Sequence, residues 1–260
     1  MQAEALYRRL LADQTRDHGA GSARTFYTMV GLGNAIGLQN RPAEAIAMLT
    51  EAAAGLSAKL GPQHRMTLSA TDMLANLHFR AADYERAFDE WSVVYRGYSA
   101  LMGQGSSYAI TVETNLGVDR HHGGRPMDAE PILRSALAHV RSIVDSKSPQ
   151  AQQVRYALAD CLLDLRKPAE VPTLLDGLEA AALTAVEQAP DWDGQLEYQR
   201  GRLALQLGNL VEARARLEQA VRLLTSHHSG GWISEATARR LLDTVGVREG
   251  AAPTRRGTAR

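Results

Sequence analysis

Apolar residues recur at every third or fourth position over long stretches of this chain, and glycine, proline and polar residues interrupt them at intervals. That spacing keeps one face of a helix apolar, so it predicts helices throughout. The opening run, MQAEALYRRLLADQTR, predicts an amphipathic helix over 2–18, with Leu6, Leu10 and Leu11 along its edge. Alternating β-branched runs are absent and aromatic residues are few, so no strand is expected.

The interruptions are themselves periodic. NRPAEAIAML (40–49), ADYERAFDEW (82–91), GRPMDAEPIL (124–133), RKPAEVPTLL (166–175) and GNLVEARARL (208–217) align without an insertion. They place Ala45, Ala87, Ala129, Val171 and Ala213 at intervals of 42 residues. Four positions on lie Leu49, Trp91, Leu133, Leu175 and Leu217; three further lie Ala52, Val94, Ala136, Leu178 and Ala220. Twelve positions before each anchor sits a small residue, Gly33, Ala75, Gly117, Ala159 or Gly201, preceded by leucine except at Arg200. A fixed period of this length is the mark of a repeat array.

Two antiparallel helices per unit account for the pattern. Small residues on the first helix and at the anchor of the second let the backbones approach. The bulky residue one turn beyond the anchor shares its face and fills the space between units. Gly124 and Gly208 fall at the bend, where a left-handed residue ends a helix at least cost. Pro42, Pro126 and Pro168 begin the second helices, where a missing N–H loses no hydrogen bond. LGPQHR (60–65), MGQGSS (102–107), DSKSPQ (145–150), APDWDG (189–194) and HHSGGW (227–232) separate the units.

With leucine and a small residue on the first helix, glycine at the bend, then alanine, a bulky residue and alanine, the unit resembles the tetratricopeptide (TPR) repeat. The usual TPR is about 34 residues long, so this unit has longer helices. LGPQHRMT (60–67), TNLG (114–117) and GRPMDAEPIL (124–133) resemble the leader and core of kinesin-light-chain-like repeats, with Arg65 where proline is preferred. The resemblance covers roughly residues 2–246. It implies an all-α solenoid of antiparallel helix pairs wound as a right-handed superhelix. The expected order is a helix over 2–18, repeats at about 22–64, 65–106, 107–148, 149–190 and 191–231, a closing helix over 232–247, and a disordered tail over 248–260. Residues 2–18 match the second helix of a unit, with Ala3, Tyr7 and Leu10 in register. A chain that opens halfway through a unit reads as a piece of a longer protein, or as one whose first helix serves as an unusual cap.

Composition narrows the function. The formal net charge is zero, which gives no reason to expect a nucleic acid or an acidic membrane as partner. No apolar run approaches the roughly 20 residues needed to span a bilayer, and the first helix is no signal peptide. A soluble protein is expected; the compartment stays open, with the cytoplasm favoured and the periplasm an alternative if upstream segments are missing. Cys161 is the single cysteine, expected to pack as a small hydrophobe, and it excludes an internal disulfide or a cysteine zinc cluster.

The candidate chemistry is sparse. Phosphate-loop, metalloprotease and nucleophile-elbow motifs are absent. GLGNAIG (31–37) lacks the third glycine of a dinucleotide fingerprint at the right distance and follows no strand. His121 and His122 project about 100° apart on a helix and cannot share one ion as an i, i+4 pair does. They read as the end of a helix, with Gly123 and Gly124 as the bend, and His227–His228 read likewise. No metal, cofactor or catalytic residue is expected.

What remains is the concave face, which the resemblance assigns to the first helices. Its ligand positions fall on Tyr27, Val30, Asn34 and Leu38 in the first unit, and on Asp72, Asn76, Phe79 and Arg80 in the second. In the third they fall on Thr111, Thr114, His121 and His122. The fourth offers Gln153, Tyr156, Asp160 and Asp164, and the fifth Gln195, Tyr198, Arg202 and Gln206. Asn34 repeats as Asn76 and Tyr156 as Tyr198. Asparagine can donate to and accept from the backbone of an extended peptide, and tyrosine offers flat contact area. The expected function is a non-catalytic module that binds a protein or peptide segment in this groove. A sensory or regulatory domain of a larger bacterial regulator or kinase is the alternative. The edge of the first helix also suggests self-association.

Overall fold

A left-handed residue can end a helix, and in this chain all the described residues of that kind but Gly177 keep the 42-residue period. The computed structural model describes residues 2–141, 148–178, 192–226 and 234–251. Asn40, Ala82, Gly124, Arg166 and Gly208 all have positive φ, between +56° and +80°. Gly19, Gly61 and Gly103 form a second such series, at φ of +81° to +91°. The start signals repeat as well. Ser22, His64, Ser106 and Ser148 each cap a helix by accepting a hydrogen bond from a backbone N–H in its first turn.

These signals delimit the helices. The first compact unit, Met1–Ile143, holds α1 (Gln2–His18), α2 (Ala23–Gly37), α3 (Pro42–Leu60), α4 (Arg65–Arg80), α5 (Tyr84–Met102), α6 (Ser107–His122) and α7 (Pro126–Arg141). The second, Val144–Arg260, holds α8 (Pro149–Asp164), a 3-10 turn (Pro168–Glu170), α9 (Val171–Leu175), α10 (Trp192–Gln206), α11 (Leu210–Ser226) and α12 (Glu235–Ala251). Among the described residues there is no strand.

Packing follows the aligned positions. The five anchors and the residues four and seven positions beyond them are all at most 4% exposed. Glycine on the first helix is a steric requirement in three hairpins. A Cβ at Gly33 would lie 2.9 Å from Leu49 Cγ, at Gly117 2.5 Å from Leu133 Cγ, and at Gly201 2.7 Å from Leu217 Cγ. The same contact therefore recurs in the first, third and fifth hairpins, in both units. The second hairpin has Ala75 there, with Trp91 in place of leucine. α1 adds its Tyr7 ring over Gly31 of α2 and buries no residue of its own.

The fourth unit departs from the expected second helix. Proline fits only the first turn of an undistorted helix, and Pro172 accordingly starts the α-helix at Val171. The equivalent helices start at Pro42, Tyr84, Pro126 and Leu210, three residues earlier in register. α7 absorbs Pro131 within its length, so proline alone does not shorten a helix. In α9, Asp176 turns extended and Gly177 left-handed (φ +69°), which ends it after five residues. The closing helix runs Glu235–Ala251 where 232–247 was expected, so residues 248–251 are helical and not part of a disordered tail. His227–His228, the rest of the fourth unit beyond residue 178, and the tail from 252 lie outside the described residues.

Candidate functional site

The first helices of the first unit carry the exposed candidates. Asn34 on α2 and Asn76 on α4 occupy equivalent positions, and both are exposed. Asn76 Nδ2 donates to the Asp72 main-chain oxygen at 2.8 Å. Tyr27 is 48% exposed, and Arg80 is exposed with no ion pair among the described residues. Phe79 is half-buried, with Tyr84, Trp91 and His122 around its ring at centroid distances of 5.4–5.7 Å. Asp72 accepts from the Trp91 indole N–H at 2.9 Å; burial raises its pKa and that hydrogen bond opposes the rise. Its carboxylate thus holds Trp91 in place.

Thr114 and the histidines play other parts. Thr114 is 1% exposed and its hydroxyl donates to the Ile110 carbonyl at 2.7 Å, so it faces inward and offers nothing to a ligand. Half-buried His121 and exposed His122 end α6. The Arg125 N–H then donates to the Arg120 carbonyl across Gly124, a left-handed helix stop. The two imidazole rings lie 5.6 Å apart at 69°. Among the described residues no group of three or more His, Cys, Asp or Glu could hold a metal ion.

In the second unit the candidates on α8 and α10 engage one another. Tyr156 is fully buried and its hydroxyl donates to the Gln195 carbonyl at 3.1 Å. Burial first, then the charge of Asp160, pushes its phenol well above the usual range. Asp160 accepts from Gln199 Nε2 at 2.7 Å and pairs with Arg202, which also pairs with Asp164. The Arg202 guanidinium lies 5.8 Å from the centroid of the Tyr198 ring, itself 7% exposed. Tyr156 and Tyr198 therefore do not supply the open contact area expected of them. Their helix faces pack between adjacent repeats, and the polar groups there form an internal network. Gln199, absent from the expected set, belongs to it.

Three polar features escaped the sequence reading. Glu113, 5% exposed on α6, accepts from Ser135 Oγ at 2.6 Å and Tyr95 Oη at 3.4 Å, and lies 2.8 Å from His139 Nδ1. Buried His78 has Nδ1 2.8 Å from Glu90 Oε2, and burial raises the Glu90 pKa against the pull of that imidazole. Asp119 is 0% exposed and neither of its carboxylate oxygens has a hydrogen-bond partner. Burial raises its pKa to about 7; Arg120 opposes the rise and Glu85 adds to it. The signal for Asp119 was in the repeat itself, since its register otherwise holds Ala35, Leu77, Cys161 and Leu203.

No helix among the described residues is long and apolar enough to cross a membrane. No protein-family model and no curated protein matches the chain. Solved structures do. A Podosopora anserina kinesin light chain protein with nearly identical TPR-like repeats is 17% identical, with a TM-score of 0.62 over 72% of this chain and 88% of that one. BtubC (BKLC) from P. vanneervenii is 16% identical, with a TM-score of 0.67 over 90% and 92%. The APC/C hetero-tetramer Cut9–Hcn1 is 15% identical, with a TM-score of 0.65 over 95% of this chain and 40% of that one. At such identities the likeness is one of fold: the chain is built as a helical-repeat solenoid of the TPR kind.

Proposed function

We propose that this chain is a non-catalytic module that binds a protein or peptide segment along the first helices of its repeats. The observation that carries the reading is the pair Asn34 and Asn76, exposed at one register on α2 and α4, with Tyr27 and Arg80 open beside them. Side-chain amides at a regular spacing suit an extended backbone, because they read its N–H and C=O groups whatever its sequence. Tyr27 and Arg80 are the residue types that anchor such contacts. In the second unit the same register is occupied by Asp160 and Arg202, which pair with each other, so the first unit is the better candidate for backbone recognition.

The test is a double replacement, Asn34→Ala with Asn76→Ala. Both positions are exposed, so folding should be preserved, as circular dichroism would verify. Binding to a partner captured on the immobilised chain and mapped to a peptide should weaken at least about tenfold, the equivalent of about 1.4 kcal/mol. Unchanged affinity in a folded double variant rejects the assignment.

A further inference from the structure

A cavity of about 310 Å³ opens in the second unit among the ends of α8 and α10 and the side of α12. Three arginines line it: Arg166 from the turn after α8, Arg202 from α10 and Arg248 from α12. Arg202 is held by Asp160 and Asp164 and is 15% exposed at its side chain. Arg166 and Arg248 are exposed, and the guanidinium of neither forms an ion pair or hydrogen bond with any described residue.

The simplest alternative role for these cations is to neutralise the helix ends, whose last carbonyls carry partial negative charge. Three carbonyls at each of these ends are already engaged. Backbone N–H groups of Leu165, Arg166 and Lys167 serve the end of α8, and those of Leu207, Gly208 and Asn209 serve the end of α10. Gln206 Nε2 takes the Leu163 carbonyl at 2.6 Å. Two guanidiniums are thus left with their donors directed to solvent or to whatever enters. Arg166 also holds a left-handed backbone (φ +56°) where two other repeats have glycine.

Gln206 contributes a second demand. Gln206 lines the cavity, and with its Nε2 donating to Leu163 its Oε1 is buried with no partner. A buried acceptor left unmade is costly, and an occupant that donates an N–H would relieve it. Leu205 and Leu241 supply apolar wall on which a short aliphatic stem can lie. Carboxylate, N–H donor and aliphatic stem occur together in one ligand class, an acidic stretch of peptide.

We infer that this cavity binds a glutamate- or aspartate-bearing peptide segment. The carboxylate lies between Arg166 and Arg248, and a peptide N–H donates to Gln206 Oε1. Planar guanidinium forks suit carboxylate geometry. The inference rests on reading the chain as a peptide-binding module and adds a second place and a ligand charge.

The test uses the whole chain and a fluorescein-labelled peptide of about eight residues alternating glutamate and alanine, with a glutamine–alanine counterpart, by anisotropy at about 0.15 M salt, where screening confines weak ionic contacts to short range. The glutamate peptide should bind at least tenfold more tightly. Arg166→Gly with Arg248→Gln should reduce that preference below threefold without lowering the melting temperature. Gln206→Met should weaken the peptide while leaving competition by inorganic phosphate unchanged. Equal binding of the two peptides, no binding of either, a preference that survives the arginine changes, or phosphate competing as well as the peptide would each overturn the site. The Asn34→Ala, Asn76→Ala variant separates the two readings. It should retain the glutamate preference, so loss of captured-partner binding there leaves this site untouched, and the reverse pattern leaves the first unit's surface untouched.

Discussion

The two units place the same turns at the same register and bury their carboxylates in opposite ways. In the first, Glu113 leans on the imidazole of His139 and on hydroxyls, and Asp119 has no partner. In the second, Asp160 is matched by Arg202 and by the Gln199 amide. Arginine stays charged over the whole working range of pH, whereas burial raises the pKa of the unpaired Asp119 to about 7, inside that range. Helix length separates the units as well. α5 runs nineteen residues and buries Trp91 to 2%, while its counterpart α9 runs five. Beside α9 a space of about 530 Å³ is lined by Leu175, Leu203 and Leu207, and Leu203 is partly exposed where its register mates Leu77 and Cys161 are buried. A repeated sequence therefore fixes where the chain turns, while single residues decide how tightly each hairpin closes and how its charge is compensated.

The largest effect should come from comparing Trp91→Ala with Leu175→Ala, which truncate the same register position. Removing a buried tryptophan costs about 3–5 kcal/mol, and here it also strips Asp72 of its donor. Leu175 borders existing space, so its loss should sit near the low end of the usual range, about 2 kcal/mol. Urea unfolding gives both values. Equal costs would mean that α9 is packed as tightly as α5, and the contrast between the units would fail.

Asp119 gives the next test. Its folded pKa of about 7 lies above the ordinary aspartate value of 3.8, so the fold favours the protonated acid. Stability from this group is complete below pH 4, falls as pH rises toward 7, and is lost above it. The full swing is on the order of 4 kcal/mol. Asp119→Leu, matching Leu77 and Leu203 in register, should raise stability at pH 8 by several kcal/mol and little at pH 4, as denaturant melts at the two values would show. A gain independent of pH would mean that shape, not charge, limits this position.

Much of this architecture is readable from spacing alone, because the positions that matter to it are steric. A residue facing Leu49 or Leu133 at close range must be small, and the 42-residue interval displays that directly. The short α9 was hidden because Pro168 looks like an ordinary helix start, and Pro172 and Gly177 act only in combination. The candidate surface was readable in part. Asn34, Asn76, Tyr27 and Arg80 emerge exposed, as register counting expects. Tyr156, Tyr198 and Thr114 do not, because the family's ligand positions say nothing of which side chains find partners on the neighbouring helix. The Asp160–Arg202 pair is spaced by one full period, and each residue read singly looks like a free groove residue.

The smallest effect tests whether the turns themselves are equivalent in the two units. Asn40, Ala82 and Arg166 take a left-handed backbone at the register where Gly124 and Gly208 take it without a Cβ. A side chain there costs about 1 kcal/mol, less for asparagine, whose short amide hydrogen-bonds locally. Glycine gives back part of the gain through its larger unfolded-state entropy. Ala82→Gly in the first unit and Arg166→Gly in the second should therefore each stabilise by about 0.5 kcal/mol, and Asn40→Gly by less. Gly124→Ala should lose about 1 kcal/mol. If Ala82→Gly stabilises and Arg166→Gly destabilises, the Arg166 side chain contributes to folding through contacts of its own, and its place at the cavity would be structural. If both stabilise alike, Arg166 sits at that turn at a net cost to the fold, the condition under which a residue held for binding can be told from one held for stability.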